Sequence, residues 1–293
     1  MPLKRRIQLD DIQGVGAGKT AIINCPIPYR YHDITLVLGN SAAGNGNAPT
    51  VASIVGNIQL KMAGKTQREH TGTRLDVINT AMGSIFASQA AVSGGANGTG
   101  RTHLPIFFQE PWRKRLADQD SLAWQTWFLN RATQTFQILV DIVSGITPVL
   151  TAFATIDDFA DPRKIAAIMK WFSTDFAVTA TPATFVGLEQ RDLYSQISLF
   201  DTSDAKSVTN ARLTMGGVEQ HNLSSVENTT KLKGADMNPA AGAYHIVFDQ
   251  DDSLDDVLNP TASLNLKLDF SAAPTGTTGI VQQRLGKPEG FGG

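Results

Sequence analysis

Hydrophobic and polar positions alternate with period two in short runs along most of this chain. Phe136-Gln-Ile-Leu-Val-Asp-Ile142 and Leu264-Asn-Leu-Lys-Leu-Asp-Phe270 each alternate for seven residues, as a strand does when one face lies against a core. Residues 20–24, 31–38 and 58–62 are rich in β-branched or alternating apolar side chains and predict further strands. Gly, Asn and Pro clusters punctuate the runs, above all at 39–50 and 93–100, and predict loops. Helical spacing is scarce. Asp161-Pro162 offers an N-cap oxygen and a first-turn proline, and Ile165, Ile168, Met169 and Phe172 follow at helical intervals, so a helix is expected over about 157–174. Shorter helical turns are expected at 73–82, 120–130 and 253–258.

The runs come in two sets that keep the same order. Tyr31-His-Asp-Ile-Thr-Leu36 returns as Tyr194-Ser-Gln-Ile-Ser-Leu199, and Leu60-Lys-Met-Ala-Gly64 as Leu213-Thr-Met-Gly-Gly217. Ile106-Phe-Phe108 returns as Ile246-Val-Phe248, Asp120-Ser-Leu122 as Asp252-Ser-Leu254, and the 136–142 run as 264–270. The separation shrinks steadily, from 163 residues between the tyrosines to 128 between the last pair. That drift is the signature of a duplicated unit whose second copy has shorter loops. The expected organisation is a first β-rich domain at 1–145, a connector with the helix at 146–175, and a second domain at 176–293.

Composition narrows this picture. A chain of 293 residues suits two domains, each large enough for its own core. With 25 Lys plus Arg against 27 Asp plus Glu, duplex nucleic acid is not the expected partner. Lys4-Arg5-Arg6 is a short basic cluster near the start. Cys25 is the single cysteine, so no intrachain disulfide can form. The opening residues lack the apolar stretch of a secretion signal. The apolar run 136–156 contains Gln137, Asp141, Gly145 and Pro148, which a membrane span tolerates poorly; it reads instead as a strand entering the connector.

Candidate chemistry is thin. Gly14-Val-Gly-Ala-Gly-Lys-Thr20 imitates a phosphate-binding loop, but the motif needs a glycine five positions before Gly18, and that position is Gln13. A strand-like Ala-Ile-Ile-Asn-Cys-Pro26 follows where the motif needs a helix. A glycine-rich turn into a strand fits better. Asp249, Asp251, Asp252 and Asp255 lie in one acidic run and are candidate calcium ligands, with helix capping as the plainer explanation. His32, His70, His103, His221 and His245 lack metal-ligand spacing, and His32 and His245 sit in strand patterns that suit core histidines. Trp112 beside Arg113 is the pairing typical of interface hot spots, so these two are candidate subunit contacts. No nucleophile, base and acid assemble from the sequence, and an enzyme is not expected.

Ile12-Gln-Gly-Val-Gly-Ala-Gly-Lys-Thr-Ala-Ile-Ile-Asn-Cys-Pro26 with Tyr29-Arg-Tyr-His-Asp-Ile-Thr-Leu36 resembles the opening of the major capsid protein of corticoviruses, tailless icosahedral phages with an internal membrane. The resemblance extends through 58–62, 194–199 and 264–270. It implies an all-β fold of two tandem eight-stranded jelly-roll sandwiches, a double jelly roll, with few short helices. It also implies homotrimers that tile a virion shell as pseudo-hexamers, together with neighbouring capsomers, penton or vertex proteins, bound calcium and an underlying lipid membrane. The protein would be made in the bacterial host cytoplasm, and sequence-specific nucleic acid is not an implied partner. Lys4, Arg5 and Arg6 are the candidate membrane-facing residues. The alternative from another class is a tandem β-sandwich carbohydrate-binding, lectin-like protein, for which Trp112 and Trp171 are the available aromatics.

Overall fold

The computed structural model describes residues 3–41, 48–92, 100–113, 119–158, 167–249 and 256–291. Strands come first: β1 (Arg5–Leu9), β2 (Ile12–Gln13), β3 (Thr20–Cys25), β4 (Arg30–Asn40), β5 (Val55–Met62) and β6 (Lys65–Thr71). Helix α1 (Gly72–Met82) follows, then β7 (Gln89–Val92), β8 (Gly100–Phe107), β9 (Trp124–Gln125), β10 (Phe136–Ile142) and β11 (Pro148–Asp157). The later part holds β12 (Ile168–Ala177), β13 (Ala183–Val186), β14 (Leu193–Phe200), β15 (Val208–Met215) and β16 (Val218–Ser224). Helix α2 (Ser225–Gly234), β17 (Ala243–Val247), β18 (Leu264–Phe270) and β19 (Thr277–Gly286) complete it.

These elements divide into two compact units. Residues 1–79, 85–168 and 287–293 form the first, and 80–84 with 169–286 the second. In the first unit one sheet runs β1-β11-β4-β8-β7, with β9 beside β4, and the other runs β6-β5-β10-β3-β2. In the second unit the sheets run β12-β19-β14-β17 and β13-β18-β15-β16. Setting aside β2, β7 and β9, eight strands remain in each unit. Counted along the chain, both sets are ordered 1-8-3-6 in one sheet and 2-7-4-5 in the other. Two four-stranded sheets with this winding are a jelly roll, so the chain is a double jelly roll.

The duplication extends to individual hydrogen bonds. Phe108 N donates to His32 O at 2.9 Å and Phe248 N to Ser195 O at 3.0 Å. Ala63 N donates to Thr135 O, and Gly216 N to Ser263 O. Tyr31 and Tyr194 each turn a hydroxyl onto the carbonyl five residues back, Pro26 and Glu189. Each unit also has its own core. Tyr31, Ile34, Leu36, Leu60, Ile106, Phe136 and Ile138 are fully enclosed in the first, and Tyr194, Ile197, Leu199, Leu213, Ile246, Leu266 and Leu268 in the second. The inward residues of β10 and β18 are the apolar phase of the seven-residue alternations, and Asp141 falls on the exposed phase of β10.

Three expectations need correction. The run 136–156 is two strands joined by a turn at 143–147, and β11 lies between β1 and β4 inside the first sheet. The connector at 146–175 is therefore strand at both ends. The expected helix fails over 168–174, where Ile168, Met169, Lys170 and Trp171 are all buried in β12. A strand buried on both faces loses its period of two, and Ile168, Met169 and Phe172 then mimic helical spacing. Asp161, Pro162 and Ile165 lie outside the described residues. Residues 120–130 form turns and β9, with no helix. Conversely, α1 matches the turn expected at 73–82, while α2 was not anticipated. Its start is a capping box, Ser224 accepting from Glu227 N while the Glu227 carboxylate accepts from Ser224 N. Among the described residues no helix is long and apolar enough to cross a membrane.

Candidate functional site

Four groups of residues stand out in the sequence, at 14–20, 112–113, 249–255 and 4–6. Gly14–Thr20 is the turn of the β2–β3 hairpin, with Ile12 opposite Ile23 and Gln13 opposite Ile22. Gly14 takes φ +73°, and a Cβ there would sit 2.7 Å from Thr20 O, so glycine is needed for the turn itself. The strand β3 follows at once, and no helix presents its amides to a phosphate.

Trp112 is half-buried at one end of the first roll. It meets Phe86 and Phe107 edge to face, with ring centroids 5.6 and 5.8 Å away, and Phe86 meets Phe107 at 5.6 Å. Ile85, 78% exposed, adjoins them. Arg113 differs from the expectation. It is 2% exposed and its Nε donates to Glu110 Oε2 at 2.5 Å. A guanidinium committed inside the unit is not presented to a neighbour, so of the two candidate contacts Trp112 alone is partly exposed. Trp171 is 3% exposed and is not available to stack on a sugar.

Of the acidic run, Asp251, Asp252 and Asp255 lie outside the described residues. Asp249 follows β17 and accepts from Ser195 Oγ at 3.0 Å. In the first roll the same place is held by Gln109, whose Oε1 lies 3.0 Å from His32 Nδ1. Asp249 thus ties a strand end to its neighbour, as Gln109 does. No group of three or more His, Cys, Asp or Glu that could hold a metal occurs among the described residues, so they do not supply the donor set calcium needs.

Lys4, Arg5 and Arg6 lead into and begin β1, and all three are exposed. Lys4 Nζ reaches Asp120 Oδ1 at 2.7 Å, Arg5 Nη2 reaches Asp158 Oδ1 at 2.9 Å, and Arg6 lies over the Phe153 ring. Beneath Lys4 is a buried polar network the sequence did not disclose. His32, fully buried, places Nε2 2.8 Å from Asp157 Oδ2 and Nδ1 3.2 Å from Asp120 Oδ1. Arg30 Nη2 donates to Asp157 Oδ2 at 2.6 Å. Arg30 and Asp157 are cross-strand partners in β4 and β11; opposite charges at two strand ends were the available signal, usable only with the register known. Another buried cation, Arg68, lies against Phe108 and Trp124, its guanidinium carbon 5.4 and 5.0 Å from the ring centroids. Burial lowers its pKa to about 9.

His32 and His245, which sit in strand patterns, are both buried, and so are His70 and His221. Burial lowers His70 to about 3, and His221 and His245 to about 4. His221 Nε2 lies 2.7 Å from the Tyr244 hydroxyl. Cys25 is enclosed, and burial pushes its thiol well above the usual range, the reverse of what a nucleophile requires.

Comparison with known proteins agrees with this fold. The viral coat protein P2 N-terminal domain family matches residues 6–157, just over half of the chain. No curated protein sequence matches. Among solved structures, the major capsid protein P2 of bacteriophage PM2 superposes with a TM-score of 0.76 at 19% identity, covering 99% of this chain and 100% of that one. Sulfolobus turreted icosahedral virus gives 0.69 at 12% identity, covering 97% and 91%. The Faustovirus major capsid protein gives 0.67 at 8% identity, covering 98% and 91%. The strand order 1-8-3-6 over 2-7-4-5, found twice in one chain, is thus the double jelly roll of viral major capsid proteins, and the chain belongs to the viral coat protein P2 family.

Proposed function

We propose that this chain is the shell-forming subunit of a tailless icosahedral phage and that three copies associate into one pseudo-hexameric capsomer. The observation that carries the reading is the repetition of one eight-stranded winding in two rolls of a single chain. Three such chains around a three-fold axis present six similar rolls, which fills a hexagonal lattice point. Neighbouring capsomers and penton or vertex proteins are the partners, the virion is the place of action, and synthesis is in the host cytoplasm. The work is assembly, without catalysis and without sequence-specific nucleic acid.

The half-buried Phe86, Phe107 and Trp112 rings, with exposed Ile85, support a contact between copies at this end of the first roll. Lys4, Arg5 and Arg6, beside Leu3 at 88% exposure, support an inward-facing N-terminus lying on an internal membrane. Their partial pairing with Asp120 and Asp158 keeps that attraction modest. Calcium remains a proposal for the 249–255 run alone.

Sedimentation of the purified full-length chain tests the assembly reading. A stable species at three times 31.5 kDa is expected; a monomer at all concentrations, or one that binds glycans, overturns it. For the N-terminus, deleting residues 1–6 is expected to weaken flotation with anionic vesicles, and unchanged flotation refutes the membrane contact.

A further inference from the structure

The sixth strand of each roll, β8 and β17, is the outer strand of its four-strand sheet. Such an edge normally leaves backbone groups open to another strand. The neighbour bonds show which residues point outward. Phe108 N and Phe248 N donate inward to His32 O and Ser195 O, so even-numbered residues bond the adjacent strand and odd-numbered ones face away.

On β8 the outward residues are Arg101, His103, Pro105 and Phe107, and each has a partner on at least one backbone group. The short β7 pairs with Arg101 and His103. Asn79 Nδ2 donates to Pro105 O at 2.9 Å, and Arg68 Nη1 donates to Phe107 O at 2.6 Å. Pro105 itself has no N–H to leave open. On β17 the outward residues are Ala243, His245 and Val247. Asn228 Nδ2 donates to the middle carbonyl, His245 O, at 2.8 Å.

Pro105 and His245 are equivalent in the duplication, but the two asparagines are not. Both helices begin directly after the fifth strand, yet Asn79 is the eighth residue of α1 and Asn228 the fourth of α2. The same carbonyl is reached from helical turns one apart. What the copies share is therefore the sealed carbonyl rather than an inherited helix position. Both side chains are buried, at 1% and 2% exposure, and in each the Oδ1 has no hydrogen-bond partner. A leucine would fill the space without stranding that oxygen. A buried amide with one end unsatisfied fits a role for the donor at its other end.

We propose that Asn79 and Asn228 are edge-sealing residues. Each occupies the carbonyl at which a foreign strand would begin to pair, and so confines association between copies to the faces and loops of the rolls. This specificity role rests on the reading that copies of the chain pack against one another; the seal itself does not.

Two measurements on the full-length chain test it. In the native protein the side-chain amide protons of Asn79 and Asn228 are expected to exchange at least about tenfold more slowly than those of exposed Asn222, since exchange requires local opening. Exchange as fast as at Asn222 overturns the proposal. In Asn228→Leu, sedimentation is expected to gain a concentration-dependent species above the native assembly, with new backbone amide protection at 243–247. Native sedimentation and native protection in a folded Asn228→Leu overturn the specificity role. Should that variant not fold, Asn228→Asp, of the same shape with a carboxylate facing the carbonyl, is read by the same two signals. Failure of the native chain to form trimers would leave the amide protection unchanged, so the two readings fail separately.

Discussion

Replacing Asp157 by Asn tests whether burial or distance sets the worth of an ion pair in the first roll. Asp157 is 1% exposed at the end of β11. Its carboxylate takes Arg30 Nη2 at 2.6 Å, Arg30 Nε at 3.1 Å and His32 Nε2 at 2.8 Å. The amide keeps the size, removes the charge and turns an NH2 toward one of those donors. Removing one partner of a buried pair leaves the other's charge uncompensated, a loss of about 3–5 kcal/mol. Lys4 and Asp120 form a bridge that is just as short, 2.7 Å, but their side chains are 41% and 24% exposed. Exposed pairs contribute about 0–1 kcal/mol, so Lys4→Ala is expected to be nearly silent. For a unit of this size, 1 kcal/mol moves the melting temperature by about 2–4 °C, placing Asp157→Asn about 6–20 °C below the native first transition. The assay is urea and thermal unfolding followed by tryptophan fluorescence. Trp112, Trp124 and Trp127 lie in the first unit and Trp171 in the second, so each unit is fitted with its own transition. An Asp157→Asn protein within about 1 kcal/mol of native, or Lys4→Ala equally damaging, would refute the reasoning.

Gly14→Ala is expected to destabilise the first roll, because its Cβ would meet Thr20 O at 2.7 Å with φ at +73°, while exposed Lys19→Ala stays within about 0.5 kcal/mol; a nucleotide that raises the melting temperature of the native chain, and not of Lys19→Ala, would restore the phosphate-loop reading. Stability should also fall as pH drops. His70, His221 and His245 are held neutral by burial, at about 3, 4 and 4, against about 6.5 in the unfolded chain. Between those limits the unfolded state binds protons the folded state does not, so each ring removes about 1.4 kcal/mol per pH unit below about 6.5 and nothing above it. Urea midpoints that stay level from neutral pH to about pH 4.5 would contradict this.

Much of the fold was legible because each roll buries one face of most strands. That forces alternation at 136–142 and 264–270, and it forces glycine at Gly14, where the hairpin turn needs a positive φ. The α2 capping box is also written in the chain, as Ser224 and Glu227, but the segment lacks the apolar stripe that marks a helix. The candidate site was less legible. The pairing of Arg113 with Glu110 is hidden in the chain, and the tie from Ser195 Oγ to Asp249 at 3.0 Å joins residues far apart in sequence.

From the sequence alone came the duplication and the all-β class. Those properties rest on local periodicity and on order along the chain, which need no knowledge of what lies opposite. Only the tertiary structure decided that 168–177 is strand, that Arg30 and His32 share Asp157, and that Asn79 and Asn228 reach equivalent carbonyls. Each of those depends on strand register and on burial of both faces, quantities set by partners distant in the sequence.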